Sequence, residues 1–201
     1  MEPRPAATIV LARPGHKGVE FLILKRGEGS SFLPGFAVFP GGSIDPSDEE
    51  LAARLFGDPS QSARACALRE LYEEAGILLT SGRPLAGVPA RPLSSIAFDP
   101  PRAQRLVEIA RWIAPEFLET RFDARFFAMS APEGVEPLAD GDEIVDARWT
   151  GAQVVLDAAD GGETEVMWPT RVMLGALAEC RDVADVLALR VEQIPHPDEA
   201  R

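Results

Sequence analysis

The sequence predicts an α/β fold: a mixed β-sheet sandwiched between helices that cover both of its faces. Three observations lead there. Short β-like runs and helix-periodic stretches are intermixed along all 201 residues rather than segregated into blocks. No internal repeat, low-complexity linker or clear boundary divides the chain, so one domain over residues 1–201 is expected. A chain of this length buries about 70% of the surface exposed when unfolded, enough to fold without disulfide or metal staples.

The elements follow in order. Thr8–Leu11 and Val19–Lys25 are β-like runs joined by the turn-rich Arg13-Pro14-Gly15-His16-Lys17-Gly18. Residues 27–35 form a loop rich in Gly and Ser, and the short run Ala37-Val38-Phe39 ends abruptly in Pro40-Gly41-Gly42. A short helix follows Asp45-Pro46, with Ser47 and Glu50 at capping-box spacing, and Gly57-Asp58-Pro59 stops it. A stronger helix spans about Gln61 to Ala75, with Gly76 as its C-terminal stop. Ile77–Leu79 resumes as strand, and residues 81–101 are a Pro- and Gly-studded connection. Arg102–Ile113 reads as helix, Arg121–Met129 and Ile144–Thr150 as strands. Gly151–Ala158, Pro169–Cys180 and Asp182–Leu189 read as helices, and a polar tail runs from Gln193 to Arg201.

Charge and composition narrow the function. Thirty-two acids against 20 Lys and Arg give a formal net charge of −12. Binding an extended nucleic acid requires many cations against phosphates, so that class is disfavoured. No run approaches the roughly 18 apolar residues of a membrane span, and the N-terminus lacks a signal-peptide core. Cys66 and Cys180 make neither a disulfide framework nor a zinc site, and a reducing cytoplasm fits them. His16 and His196 sit in loop-like settings without catalytic neighbours.

The segment Arg69-Glu70-Leu71-Tyr72-Glu73-Glu74-Ala75-Gly76-Ile77 carries the chemistry. At about 100° per residue, Glu70, Glu73 and Glu74 share one face with Arg69, and Leu68, Leu71, Tyr72 and Ala75 share the other. Helical neighbours three and four apart have Cβ atoms about 5–6 Å apart, so three carboxylates there repel unless a cation neutralises them. Hard divalent cations such as Mg²⁺ take oxygen ligands of this kind. Arg69, one turn before Glu73, is placed to pair with it. The double glycine after Phe39 lets backbone approach a bound ion closely.

Together these residues resemble the signature of the Nudix hydrolases: a glycine, a spacer, Arg-Glu, an aliphatic, any residue, Glu-Glu, any residue, Gly, an aliphatic. Residues 69–77 match every fixed position of its second half. Two departures stand out. The spacer from Gly42 to Arg69 holds 26 residues where the family has about 13, the excess being an insertion over about 43–60 that includes the Asp48–Phe56 helix. The glutamate expected eight positions before the arginine is Gln61. Thr120-Arg121-Phe122-Asp123-Ala124-Arg125-Phe126-Phe127 and Trp168-Pro169-Thr170 resemble the branch containing peroxisomal acyl-CoA diphosphatases. A motif of many coenzyme A diphosphatases matches Leu22, Arg26, Gly35 and Phe39 to Gly42, but departs at Leu24, Gly27 and Ser31.

The resemblance implies a Nudix-type α/β/α sandwich that hydrolyses a nucleoside diphosphate linked to a second moiety: CoA or acyl-CoA, ADP-ribose, a dinucleotide or a nucleotide sugar. It implies Mg²⁺ or Mn²⁺ held by Glu70, Glu73, Glu74 and the Gly42 carbonyl, with Arg69 as support. Candidate general bases are Glu70 and, in the late acidic cluster Asp142-Glu143 and Asp146, Glu143. Arg26, at a strand end, is a candidate for substrate phosphates, with Phe39 and Arg125 as further substrate-binding candidates. A homodimer is compatible with the resemblance. The competing reading is a catalytically inactive ligand-binding or regulatory protein on the same scaffold.

Overall fold

Strands β1 (Arg4–Gly15) and β2 (Gly18–Arg26) form an antiparallel hairpin that pairs only beside its turn, from Ala12 opposite Phe21 to Gly15 opposite Gly18. Farther from the turn the two strands part, and the next stretch of chain fills the gap. Strand β3 (Ala37–Val38) pairs with β2 at Lys25 and Leu24, and β4 (Gly41–Ser43) pairs with β1 at Thr8, Ala7 and Ala6. Phe39 and Pro40 carry the chain across, with the Pro40 carbonyl accepting from the Ile9 amide at 2.9 Å. This geometry comes from a computed structural model that describes residues 2–30, 32–79, 85–86 and 106–197.

The sheet is mixed. Strand β8 (Phe122–Ser130) runs parallel to β1, from Arg4 opposite Phe122 to Ala12 opposite Ser130. Strand β7 (Val107–Ile113) pairs antiparallel with β8, and β9 (Ile144–Thr150) pairs antiparallel with β2. Two short strands, β5 (Ile77–Leu78) and β6 (Leu85–Ala86), pair separately.

Alternation along the strands divides the core in two. Ala7, Ile9, Leu11, Leu22, Leu24 and Phe127 face helices α1 (Ser47–Phe56) and α2 (Ser62–Ala75). Val10, Ala12, Phe21, Ile23 and Phe126 face the side of α3 (Ala152–Asp160), α4 (Trp168–Ala178) and α5 (Val183–Ala188). Each fully buried leucine or isoleucine contributes about 1.5–3 kcal/mol, so both faces hold their helices. The expected α/β/α sandwich with a mixed sheet and an extra helix after Gly42 is therefore present. No helix among the described residues is long and apolar enough to cross a membrane.

Three local expectations differ. Val107–Ile113 is a strand, not the end of a helix; residues 102–105 lie outside those described. Leu106, Ile109, Ala110 and Ile113 mimic helical spacing, but β-branched and aromatic side chains pair against β8, with a register shift between Glu108 and Ala110. The start of α1 is not capped by Ser47 with Glu50. Asp45 accepts from the Ser47 amide at 2.8 Å, and Asp48 accepts from the Asp45 amide at 2.8 Å. Strand β1 is also longer than expected, because β8 supports its whole N-terminal half. Gly76 ends α2 as expected, in the left-handed conformation at φ 64°.

Candidate active site

Helix α2 lays its apolar face, with Leu68, Leu71, Tyr72 and Ala75 buried, against the sheet, and this turns its acidic face toward β4. The Glu74 carboxylate accepts from the Gly41 amide at 3.0 Å. Glu70 lies against Gly42: a Cβ there would fall 2.6 Å from Glu70 Cδ. A Cβ on Gly41 would fall 2.6 Å from the Ala7 carbonyl oxygen. The two glycines are thus close-approach positions, one toward β1 and one toward the helix. The Gly42 carbonyl accepts a weak hydrogen bond from the Cys66 thiol at 3.6 Å.

Arg69 organises the face. Its Nη1 donates to Glu70 at 2.7 Å and to Glu73 at 2.9 Å, the latter as anticipated from the one-turn spacing. Its Nε and Nη2 donate to the two carboxylate oxygens of Asp48 at 2.9 and 3.0 Å, and Nη2 reaches the Ser43 carbonyl at 3.1 Å. Asp48 is fully buried. Burial opposes the charge on Arg69, but the hydrogen bonds to Asp48 and the charge of Glu70 outweigh it and raise its pKa.

Asp48 was not foreseen as a site residue. Counting back eight positions from Arg69 lands on Gln61, which instead donates to Asp58 at 3.2 Å. The acid that pairs with Arg69 stands at the start of α1. A signal for it was present: Asp48 shares a helical stripe with Leu51, Ala52 and Leu55, and an acid in a buried apolar stripe requires a partner.

Arg26 joins the second acidic position. Its guanidinium is ion-paired with Glu143 and lies 3.7 Å from Glu74, while Nε donates to the Phe32 carbonyl at 2.7 Å. The structure thus brings Arg26, Glu143, Glu70, Glu74, Gly42 and Phe39 to one cleft of about 900 Å³. Glu73 stands beside it, half-exposed and paired with Arg69. Arg125 does not join them. Phe122, Ala124 and Phe126 of β8 line the cleft, and alternation turns Arg125 to the opposite face, where it is ion-paired with Glu108 and stacks 5.3 Å from the Phe127 ring. Ser31, the motif departure noted above, lies outside the described residues. Sequence reasoning also missed the rest of the cleft wall, including Trp112, Phe122, Trp168 and His196.

Five carboxylates (Asp48, Glu70, Glu73, Glu74 and Glu143) meet two guanidiniums here, Arg26 and Arg69. Burial and the neighbouring Glu70 raise the pKa of Glu74 well above the usual carboxylate range, against the Gly41 amide and Arg26. Burial likewise raises Glu70, against the charge of Arg69. Among the described residues, no three carboxylate, thiol or imidazole groups already converge as a metal nest. The donor chemistry nevertheless suits a hard divalent cation: oxygen ligands, an excess of buried negative charge, and glycine backbone at close approach.

The family model described as NUDIX domain matches residues 2–167. The chain is similar to a NUDIX hydrolase of known structure from Alicyclobacillus acidocaldarius, with 32% identity, a TM-score of 0.78, and 95% of this chain and 98% of that one covered. It is 29% identical over 194 residues to the Caenorhabditis elegans protein "Putative nudix hydrolase 7". That match covers 89% of this chain and 62% of the curated relative, so the chain spans less than two thirds of that protein's length. The NUDIX domain of Shewanella oneidensis NrtR, solved with ADP ribose, shares the fold at 12% identity and a TM-score of 0.52, covering 87% of this chain and 86% of that one.

Proposed function

The chain belongs to the NUDIX domain family, and on that premise we propose that it is a metal-dependent pyrophosphohydrolase, built as one domain, that cleaves a nucleoside diphosphate from a second moiety. The observation that carries this reading is the pair Glu70 and Glu74. Glu74 is buried and Glu70 is mostly so, both have raised pKa values, and both face the Gly41–Gly42 backbone inside a cleft large enough for a nucleotide derivative.

Glu70, Glu73, Glu74 and the Gly42 backbone would hold Mg²⁺ or Mn²⁺. A bound cation supplies positive charge that neutralises the diphosphate oxygens and activates water for attack on phosphorus. The chain's own residues do the rest. Asp48 fixes Arg69, and Arg69 fixes Glu70 and Glu73. Arg26 offers its guanidinium to a substrate phosphate, and Phe39 supplies apolar cleft floor. Of the candidate bases, Glu70 faces the Gly42 backbone within the cleft, while Glu143 is engaged with Arg26. Water adds across one P–O bond and two phosphorylated products leave.

A panel of CoA, acyl-CoA, ADP-ribose and NADH with Mg²⁺, read by product mass, tests the reaction and sorts the candidate second moieties. In Glu73→Gln and Glu74→Gln, turnover is expected to fall by about 10²–10³, with the far-UV spectrum unchanged. Wild-type turnover in both variants rejects the proposal. Ligand binding without any hydrolysis by the parent protein would favour the inactive-scaffold reading instead.

A further inference from the structure

The residues lining the cleft fall into two chemical groups. One is the ionic set already described. The other is a wall made by Trp112, Leu118, Phe122, Met167, Trp168 and His196, none of which is an acid, a lysine or an arginine. Among the described lining residues, Arg26 is the one arginine or lysine, and it lies with Glu74 and Glu143 at the ionic end of the cleft, where the diphosphate would sit. The remaining charged lining residues, Glu119 and Glu165, are acids.

The chain after α5 completes this wall. The Val191 amide donates to the Ile109 carbonyl at 2.8 Å, and Gln193 pairs with both the amide and the carbonyl of Ile113 at 2.9 Å. This fastens the segment along the free edge of β7. Trp168 Nε1 then donates to the Ile194 carbonyl at 3.2 Å. The His196 ring stands edge-on between Trp168 and Phe117, with centroids at 5.8 and 5.7 Å. Trp168 and His196 both lie beyond residue 167, where the family match stops.

We propose that Trp168 and His196 are specificity-determining residues: they bind the second moiety of the substrate, and that moiety is uncharged with an apolar or aromatic face. The proposal rests on the diphosphohydrolase reading for the position of the diphosphate. An aromatic wall gains by burying apolar surface. A further phosphate placed against it would be desolvated in a cleft that also carries Glu119 and Glu165, with no described lysine or arginine of the wall to pair with.

The test uses methylene-bridged ADP carrying a hexyl, a benzyl or a 2-phosphoethyl ester on its second phosphorus, with binding measured by calorimetry in Mg²⁺. The hexyl and benzyl probes are expected to bind at least about tenfold more tightly than the phosphoethyl probe. In His196→Ala, and separately in Trp168→Ala, that ratio is expected to fall to about threefold or less. His196 lies on a peripheral segment, so its variant keeps the test open if Trp168→Ala does not fold. Equal binding of the three probes by the parent protein, or an unchanged ratio in a folded His196→Ala, overturns the proposal. The oxygen-bridged parents separate the two readings. Hydrolysis of all three without preference removes this inference alone. Hydrolysis of none removes the enzymatic reading, while the binding ratios still decide which moiety the wall accepts.

Discussion

Asp48 and Arg69 are the pair on which the acidic helix face depends. Arg69 is mostly buried and touches Glu70 and Glu73, so its position sets theirs. Breaking one partner of a buried ion pair costs about 3–5 kcal/mol, because the survivor keeps its desolvation cost. Asn at position 48 retains an acceptor oxygen, so Asp48→Asn is expected near the lower end, about 3 kcal/mol, lowering Tm by roughly 6–12 °C in a chain this size. Turnover should fall as well, since Glu70 and Glu73 lose their anchor. Calorimetry and steady-state kinetics on one preparation check both; unchanged Tm and turnover would show that Asp48 holds nothing in place. At this scale the sequence was only partly legible. Helical spacing placed Glu70, Glu73, Glu74 and Arg69 together. Asp48 escaped because it lies within the insertion, which the spacing of the signature does not cover.

At the scale of elements, α2 was legible because its apolar stripe and the Gly76 stop are local signals. Strand β7 was not, because Leu106, Ile109, Ala110 and Ile113 satisfy a helical pattern and only pairing with β8 decides otherwise. The cleft was illegible for the same reason. It opens where β1 and β2 part, a fact about pairing between distant residues. Strand β4, lodged between β1 and α2, gives contrasting predictions for adjacent glycines. Gly41→Ala drives a Cβ onto the Ala7 carbonyl, which is backbone of the central strand, and should cost about 1–3 kcal/mol. Gly42→Ala drives its Cβ onto the end of the Glu70 side chain, which can swing aside. It should cost less than about 1 kcal/mol of stability but at least about tenfold in turnover, as Glu70 leaves its place. Denaturant melts and kinetics on the two variants separate these effects; equal losses in both would mean the strand moves as a unit.

The molecule as a whole carries a formal net charge of −12, and the acids of α2 tie that charge to stability. Burial raises the folded pKa of Glu74 above the ordinary glutamate value of about 4.3. A raised folded pKa means the folded state holds its proton longer than the unfolded chain. The stability this contributes is complete below about pH 4.3 and is lost as pH rises through the folded value. Without metal, the protein should therefore weaken across that window because Glu74 and Glu70 must ionise in a poorly solvated site that already repels them. A divalent cation reverses the balance by favouring the ionised forms and by binding only the folded chain. The Tm difference between Mg²⁺ and EDTA, at fixed ionic strength, should be small near about pH 5 and should grow toward about pH 8. Glu74→Gln should raise Tm in EDTA at the higher pH, remove most of the Mg²⁺ increment, and lower turnover by the same factor of about 10²–10³. Comparing variant with parent at each pH cancels the opposite trend from Asp45, Asp58, Asp123 and Asp185, whose pKa values are lowered. If the Mg²⁺ increment is flat with pH, or matches an ionic-strength control of NaCl, the cation is screening the overall negative charge rather than occupying the acidic face of α2.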